Sequence, residues 1–299
     1  MPPGRRLFIF AKNISGMYII DGIEPDLNPR RLVTEKIPEV KSGIKMYEQD
    51  SGFICGLLKK FRPRKILEVG VSHGGTTAVI LQAMNALQMP FSMYSVEIKE
   101  FIGRKSNKTG RLGEKACKDL GCKDYHLFRG VYLPQVMDEI GGDIDFVVLD
   151  TTHVMPGEIL DFLVVFPFLS PEAVVCLHDI RQNQGKHPNP ENIATNVLFN
   201  AVVARKYVNR DATRTPDYPN IGAFVINSET LKYINNVFGA LTQNWTFAGK
   251  GFQYYYDFII QRYPSRSVWL FEEAVKMNSR SLNAFHIRLL RKLKSLLHA

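Results

Sequence analysis

The sequence predicts an α/β protein built on a doubly wound, mainly parallel sheet, with helical additions at both termini. Two observations carry this. From about residue 45 to 227, short apolar runs bounded by turn signals alternate with segments of helical periodicity, the pattern of successive βαβ units. The run Phe146–Leu149 is apolar at every position, as a strand buried on both faces should be.

Residues 1–45 form an extension punctuated by Pro2, Pro3, Pro25, Pro29 and Pro38, read as a lid, with a helix starting near Lys45. The core spans 46–227. Its first strand is Ile66–Val69, followed by a helix from Thr76 to about Leu87. Phe91–Val96 is the second strand, and a charged helix runs through Leu112–Leu120. Tyr125–Phe128 and Phe146–Leu149 are strands three and four. A helix over Glu158–Phe166 leads to the fifth, Ala173–Leu177. Asn192–Tyr207 reads as one helix and Ile221–Ile226 as the last strand. Residues 228–299 read as largely helical, with aromatic weight in Trp245, Tyr254–Tyr256 and Trp269. Ligands of such sheets lie at the carboxyl ends of the strands. The polar loop Arg181–Glu191, with Pro188 and Pro190, follows the fifth strand at that edge and suits a gate for an acceptor.

Composition narrows the class. Of 299 residues, 45% are hydrophobic and 22% charged, which is globular. No apolar run reaches the roughly 18 residues of a membrane span. Leu7–Ala11 is too short for a signal-peptide core, so the expected location is cytoplasmic. Cys55, Cys117, Cys122 and Cys176 lack zinc-site spacing and read as buried free thiols. The net charge of +9 is spread along the chain, and without an RNA-binding signature nucleic acid is not the expected partner. Within 284–299, Phe285, Leu289, Leu290, Leu293, Leu296 and Leu297 share one helical arc, opposite Arg288, Arg291, Lys292, Lys294 and His298. That segment suits peripheral contact with an anionic membrane, packing on its own domain, or dimerisation.

The stretch Leu67-Glu-Val-Gly-Val-Ser-His-Gly-Gly-Thr-Thr77 turns a strand through glycines into a helix, bringing backbone close to a nucleotide-like ligand. Glu97 ends the next strand, at about the 20-residue spacing where an acid meets ribose hydroxyls. A dinucleotide fold would carry a middle glycine where Ser72 stands. Glu68, at the end of the first strand, suits a cationic ligand better than a pyrophosphate. His73, Gly74 and Thr76 carry the turn into the helix, with His73 contributing backbone.

Glu68 to Thr77 together with Glu97 resembles motifs I and II of class I S-adenosylmethionine-dependent methyltransferases. The resemblance implies a seven-stranded Rossmann-like sheet whose last strand is antiparallel, with Ile221–Ile226 in the terminal hairpin. It implies S-adenosylmethionine as cofactor, with Gly70, Ser72 and Gly74 along the methionine side and Glu97 on the ribose. Gly130 and Val131 would lie near the adenine, although Val131 replaces the familiar Asp.

A second constellation is Asp145-Phe-Val-Val-Leu-Asp150-Thr-Thr-His153 with Cys176-Leu-His178-Asp179. Asp150 and Asp179 end two strands at the ligand edge, where together they suit a divalent cation such as Mg2+. A neutral imidazole at His153 can take a hydroxyl proton. His178 reads as a buried, hydrogen-bonded side chain. The constellation resembles the small-molecule and sugar O-methyltransferase subfamily that includes cephalosporin hydroxylase-like relatives. That likeness implies Asp150 and Asp179 as metal ligands and His153 as the base of a sugar-directed enzyme. The position of the usual third ligand holds Ile180. The expected function is O-methylation of a small molecule or sugar, with Asp150 and His153 catalytic. The alternatives are a methyltransferase-fold hydroxylase using iron, an RNA methyltransferase, and an inactive membrane-recruited module.

Overall fold

A computed structural model of the chain describes residues 20–103, 107–184, 189–209, 220–246 and 251–278. Eight strands are β1 (Ile20–Ile23), β2 (Lys65–Val69), β3 (Ser92–Glu97), β4 (Tyr125–Arg129), β5 (Ile144–Leu149), β6 (Leu169–Leu177), β7 (Arg205–Asn209) and β8 (Gly222–Val225). They form one sheet in the order β1-β7-β8-β6-β5-β2-β3-β4. Neighbours are parallel except at β8, which runs antiparallel to both β6 and β7.

Helices cover both faces. They are α1 (Asn28–Lys36), α2 (Glu39–Gly43), α3 (Glu48–Phe61), α4 (Gly75–Ala86), α5 (Arg111–Leu120), α6 (Met137–Ile140), α7 (Gly157–Val165), α8 (Ala194–Ala201), α9 (Ser228–Lys232), α10 (Asn235–Ala240) and α11 (Phe252–Arg262), followed by a helical run over 265–278. Successive residues of a strand point to opposite faces, which sorts the central strands into two cores. Leu67, Val69, Val147, Leu149, Val175 and Leu177 pack with residues of α7, α8, α10 and α11. Ile66, Phe146, Val148, Val174 and Cys176 pack with residues of α1, α3, α4 and α5. Each fully buried Phe or Leu contributes about 1.5–3 kcal/mol relative to exposure.

Two expectations are corrected. Among the described residues the sheet has eight strands rather than seven, because the N-terminal extension, read as helical, adds β1 to the edge through β7. Four residues, Ile20-Asp-Gly-Ile23, are too few to display strand alternation, and pairing alone makes them a strand. The single helix expected over Asn192–Tyr207 is α8 and then β7. Val202 leaves the helix in an extended conformation, and Tyr207 and Val208 pair with β1 on one side and β8 on the other. The expected antiparallel strand near Ile221–Ile226 is β8.

No described helix is long and apolar enough to cross a membrane. The amphipathic segment 284–299 lies outside the described residues. All four cysteines are free, Cys55 and Cys176 buried and the other two half-buried.

Candidate active site

Strand register assembles the site. Val69 pairs with Val96 and Leu149, and Leu149 with Leu177, so Gly70, Glu97, Asp150 and His178 all emerge at one edge of the sheet. A cavity of about 350 Å3 opens there, lined by Gly70, Ser72, Glu97, Ile98, Asp150 and Thr151 among others. That volume falls at the lower end of small-ligand sites.

Gly70 has φ of +89°, and a Cβ there would stand 1.9 Å from the carbonyl oxygen of Asp150. Only glycine fits, and the chain therefore passes close beneath the cavity. Glu97 shapes the same turn. Its Oε2 accepts the N–H groups of Val71 and Ser72, each at 3.1 Å, and its Oε1 accepts that of Lys99 at 3.1 Å. Ser72 holds φ of +51°, a strained conformation for a non-glycine residue.

The remaining loop residues lie elsewhere. His73, Gly74 and Thr76 do not line the cavity. The carbonyl of His73 accepts the N–H of Leu112, and a Cβ on Gly74 would meet backbone of Gly110 and Gly113, so this part of the turn docks α5. Burial, followed by the positive charge of Lys45, lowers the His73 pKa below its ordinary value. Gly130 and Val131 also stay off the cavity wall, while their successors Tyr132 and Leu133 form part of it.

Glu68 requires a correction. It was expected beside a cationic ligand, but it lies behind the loop and does not line the cavity. Strand alternation is the reason: Leu67 and Val69 face the α7 side, which turns Glu68 toward α4. Its Oε2 accepts Thr77 Oγ1 at 2.6 Å and Ser95 Oγ at 2.8 Å, and Oε1 has no hydrogen-bond partner among the described residues. Burial pushes this carboxyl up to about 7.

The second constellation converges. His153 Nε2 is 3.6 Å from Asp150 Oδ1 and 3.3 Å from Asp179 Oδ2, while its Nδ1 is 3.2 Å from Glu158 Oε1. The same Glu158 oxygen accepts the N–H of His153 at 2.6 Å and that of Thr151 at 3.2 Å. Glu158 thus ties the loop after β5 to the first turn of α7, where a negative charge is favoured. His153 and Asp179 both have left-handed backbones, φ +61° and +56°, and such strain concentrates at functional sites. Burial alone would lower the His153 pKa, but Glu158, Asp150 and Asp179 outweigh it and hold it above the ordinary value.

His178 is buried and bonded, as expected. Nδ1 lies 3.2 Å from Asp150 Oδ1 and 3.4 Å from Asp179 Oδ2, and Nε2 lies 3.5 Å from Asp50 Oδ2 on α3. Despite burial, these carboxylates raise its pKa well above 6.5. Burial likewise opposes ionisation of Asp150, yet the His178 and His153 charges lower its pKa. Asn220 Nδ2 donates to Asp179 Oδ1 at 2.6 Å and braces it from the segment before β8.

Asp150, His153 and Asp179 each offer one ligand atom, all within 4.8 Å of one another, a donor set that fits a divalent cation. The third donor in this set is His153, whereas the position of the usual third ligand holds Ile180. Asp50, Glu158 and Asn220 escaped the sequence reading. Glu158 had a visible signal, an acid at the start of a helix just after His153. Asp50 and Asn220 had none, since each reaches the site through tertiary packing.

Residues 67–180 match the family described as "Methyltransferase domain". No curated protein matches the sequence. Among solved structures, cofactor-bound Rv0187 from MTB shares 13% identity at a TM-score of 0.49, over 66% of this chain and 89% of that one. An O-methyltransferase from Bacillus cereus in complex with SAH shares 13% at 0.47, over 67% and 91%. TomG from Streptomyces achromogenes, an O-methyltransferase of tomaymycin synthesis in complex with SAM, shares 15% at 0.45, over 69% and 92%. The matched segment runs from the end of β2 through the glycine loop to just past β6, on a sheet whose antiparallel strand β8 lies between β6 and β7.

Proposed function

We propose that this chain transfers the methyl group of S-adenosylmethionine to a hydroxyl of a small molecule or sugar, with His153 as general base. The observation that carries the reading is the bracketing of one imidazole by Glu158 at Nδ1 and by Asp150 and Asp179 at Nε2, next to the donor cavity.

Bound in the cavity, S-adenosylmethionine supplies an electrophilic methyl group. Gly70 and Ser72 would let backbone approach its methionine part, Glu97 would meet the ribose hydroxyls, and Asp150 would face its positive centre. Glu158 Oε1 lies 3.2 Å from Nδ1 of His153, and its negative charge there would favour the tautomer protonated at Nδ1, leaving the Nε2 lone pair for the acceptor proton. Asp179, braced by Asn220, would accept a hydrogen bond from a second polar group of the acceptor and so aim the reacting oxygen at the methyl carbon, leaving that oxygen's own proton for Nε2. Transfer would form the oxygen–carbon bond as the carbon–sulfur bond breaks, with Nε2 of His153 taking the hydroxyl proton. Positioning supplies much of the acceleration.

A second reading is favoured by the three-residue donor cluster: Asp150, His153 and Asp179 would hold a divalent cation, such as Mg2+, that lowers the acceptor hydroxyl's pKa. The two readings compete for Nε2 of His153, which cannot be base and ligand at once. Calorimetry with S-adenosylhomocysteine tests the assignment of the base. His153→Ala should bind this product within about threefold of the parent while transfer slows by about 10²–10⁴. Unchanged turnover would remove His153 from the chemistry.

A further inference from the structure

We propose that Asp161 on α7 and Tyr255 on α11 recognise the exocyclic amino group of the donor's adenine. They would take the place of the acid that the family resemblance leads one to expect after β4, where this chain has Val131. The inference rests on the donor reading above.

The direction of the ligand follows from the site. The methyl group must face His153 and Asp179, neither of which lines the cavity, and the ribose must meet Glu97, which does. The base then points along the rest of the cavity, between Ile98 and the wall formed by Leu160, Asp161 and Tyr255. Besides Glu97 and Asp150, Asp161 is the carboxyl group that lines this cavity, and it is only 4% exposed.

The carboxyl is built in. Its Oδ1 accepts Tyr255 Oη–H at 2.6 Å, and its Oδ2 accepts Thr151 Oγ1–H at 2.9 Å. Each oxygen keeps a further lone pair. Burial pushes Asp161 up to about 7, so an added N–H donor would offset part of the cost of its charge. Tyr255 is also held by burial and by Asp161 well above its ordinary pKa, so its hydroxyl remains a donor to that carboxyl. Gly251 completes the wall: a Cβ there would come within 2.1 Å of the Tyr132 ring, so glycine lets the start of α11 close against it. The C-terminal region is thus part of the donor pocket.

A carboxylate that accepts an amino N–H rejects a base carrying a carbonyl oxygen at the same place, because two acceptors then face each other. The test is calorimetric binding of S-adenosylhomocysteine and S-inosylhomocysteine to the full chain and to D161N and Y255F. The parent should prefer the adenosyl compound by about 10- to 100-fold, and in D161N the preference should fall below about threefold. A preference near one in the parent, or one unchanged in D161N, overturns the proposal. If D161N does not fold, Y255F decides: its preference should fall at least about threefold, and an unchanged value overturns the proposal. A parent that binds neither compound defeats the donor reading as well, whereas tight adenosyl binding with an unchanged ratio in D161N defeats this proposal alone.

Discussion

His153 Nε2 stands 3.3 Å from Asp179 Oδ2, so the loop after β5 and the end of β6 meet at one nitrogen. The contact joins two strand ends that lie side by side in the sheet, and it is held on the other side of the ring by Glu158.

Glu158 should tune the base. Burial lowers the His153 pKa, but Glu158 and the two aspartates raise it further, so the net shift is upward from 6.5. A base must be neutral, so kcat/KM should rise with pH and level off at an inflection above 6.5. In Glu158→Gln the inflection should move down by about one unit, because an opposite charge is lost. A profile that stays fixed in the variant would leave Glu158 a purely structural role.

Chelation separates the two uses of Nε2. With His153 as base, exhaustive treatment with EDTA should leave methyl transfer at its starting rate. Loss of activity that Mg2+ restores would select the cation reading, with Asp150, His153 and Asp179 as ligands.

Gly70→Ala should damage both stability and donor binding. The new Cβ would press on the Asp150 carbonyl, in a backbone conformation that alanine resists. A loss on the order of 1–3 kcal/mol in denaturant unfolding is expected, along with weakened binding of S-adenosylhomocysteine. A variant of parental stability would show that the turn relaxes freely.

Glu68 should make folding pH-dependent. Burial raises its native pKa to about 7 from 4.5, so the native state binds that proton more tightly than the unfolded chain. The associated stability is fully present below 4.5 and is lost as pH rises through about 7. Glu68→Gln removes this dependence. Between pH 5 and pH 8 the difference in stability should move in the variant's favour by up to about 3 kcal/mol. A constant difference would contradict the burial argument.

The residues legible in the sequence are those whose position follows from strand ends. Glu97, Asp150 and Asp179 close strands that the apolar runs mark clearly, and parallel register then brings them to one edge. Glu68 misled because its place next to Gly70 suggested the ligand, whereas pleating turns its side chain to Thr77. Strands β1 and β7 were hidden because their pairing partners, not their own patterns, make them strands. Asp50 and Tyr255 come from α3 and the C-terminal helices, and no local spacing connects either to the site.

The central claim is hydroxyl methylation with His153 as base. It is tested most directly by mass spectrometry of products formed from methyl-labelled S-adenosylmethionine with fractionated metabolites and glycans, comparing the parent with His153→Ala. The parent should place the labelled methyl group on oxygen of a small molecule or sugar, and the variant should make almost none of that product. Label on nitrogen, carbon or RNA, or equal yields from the two proteins, would contradict it.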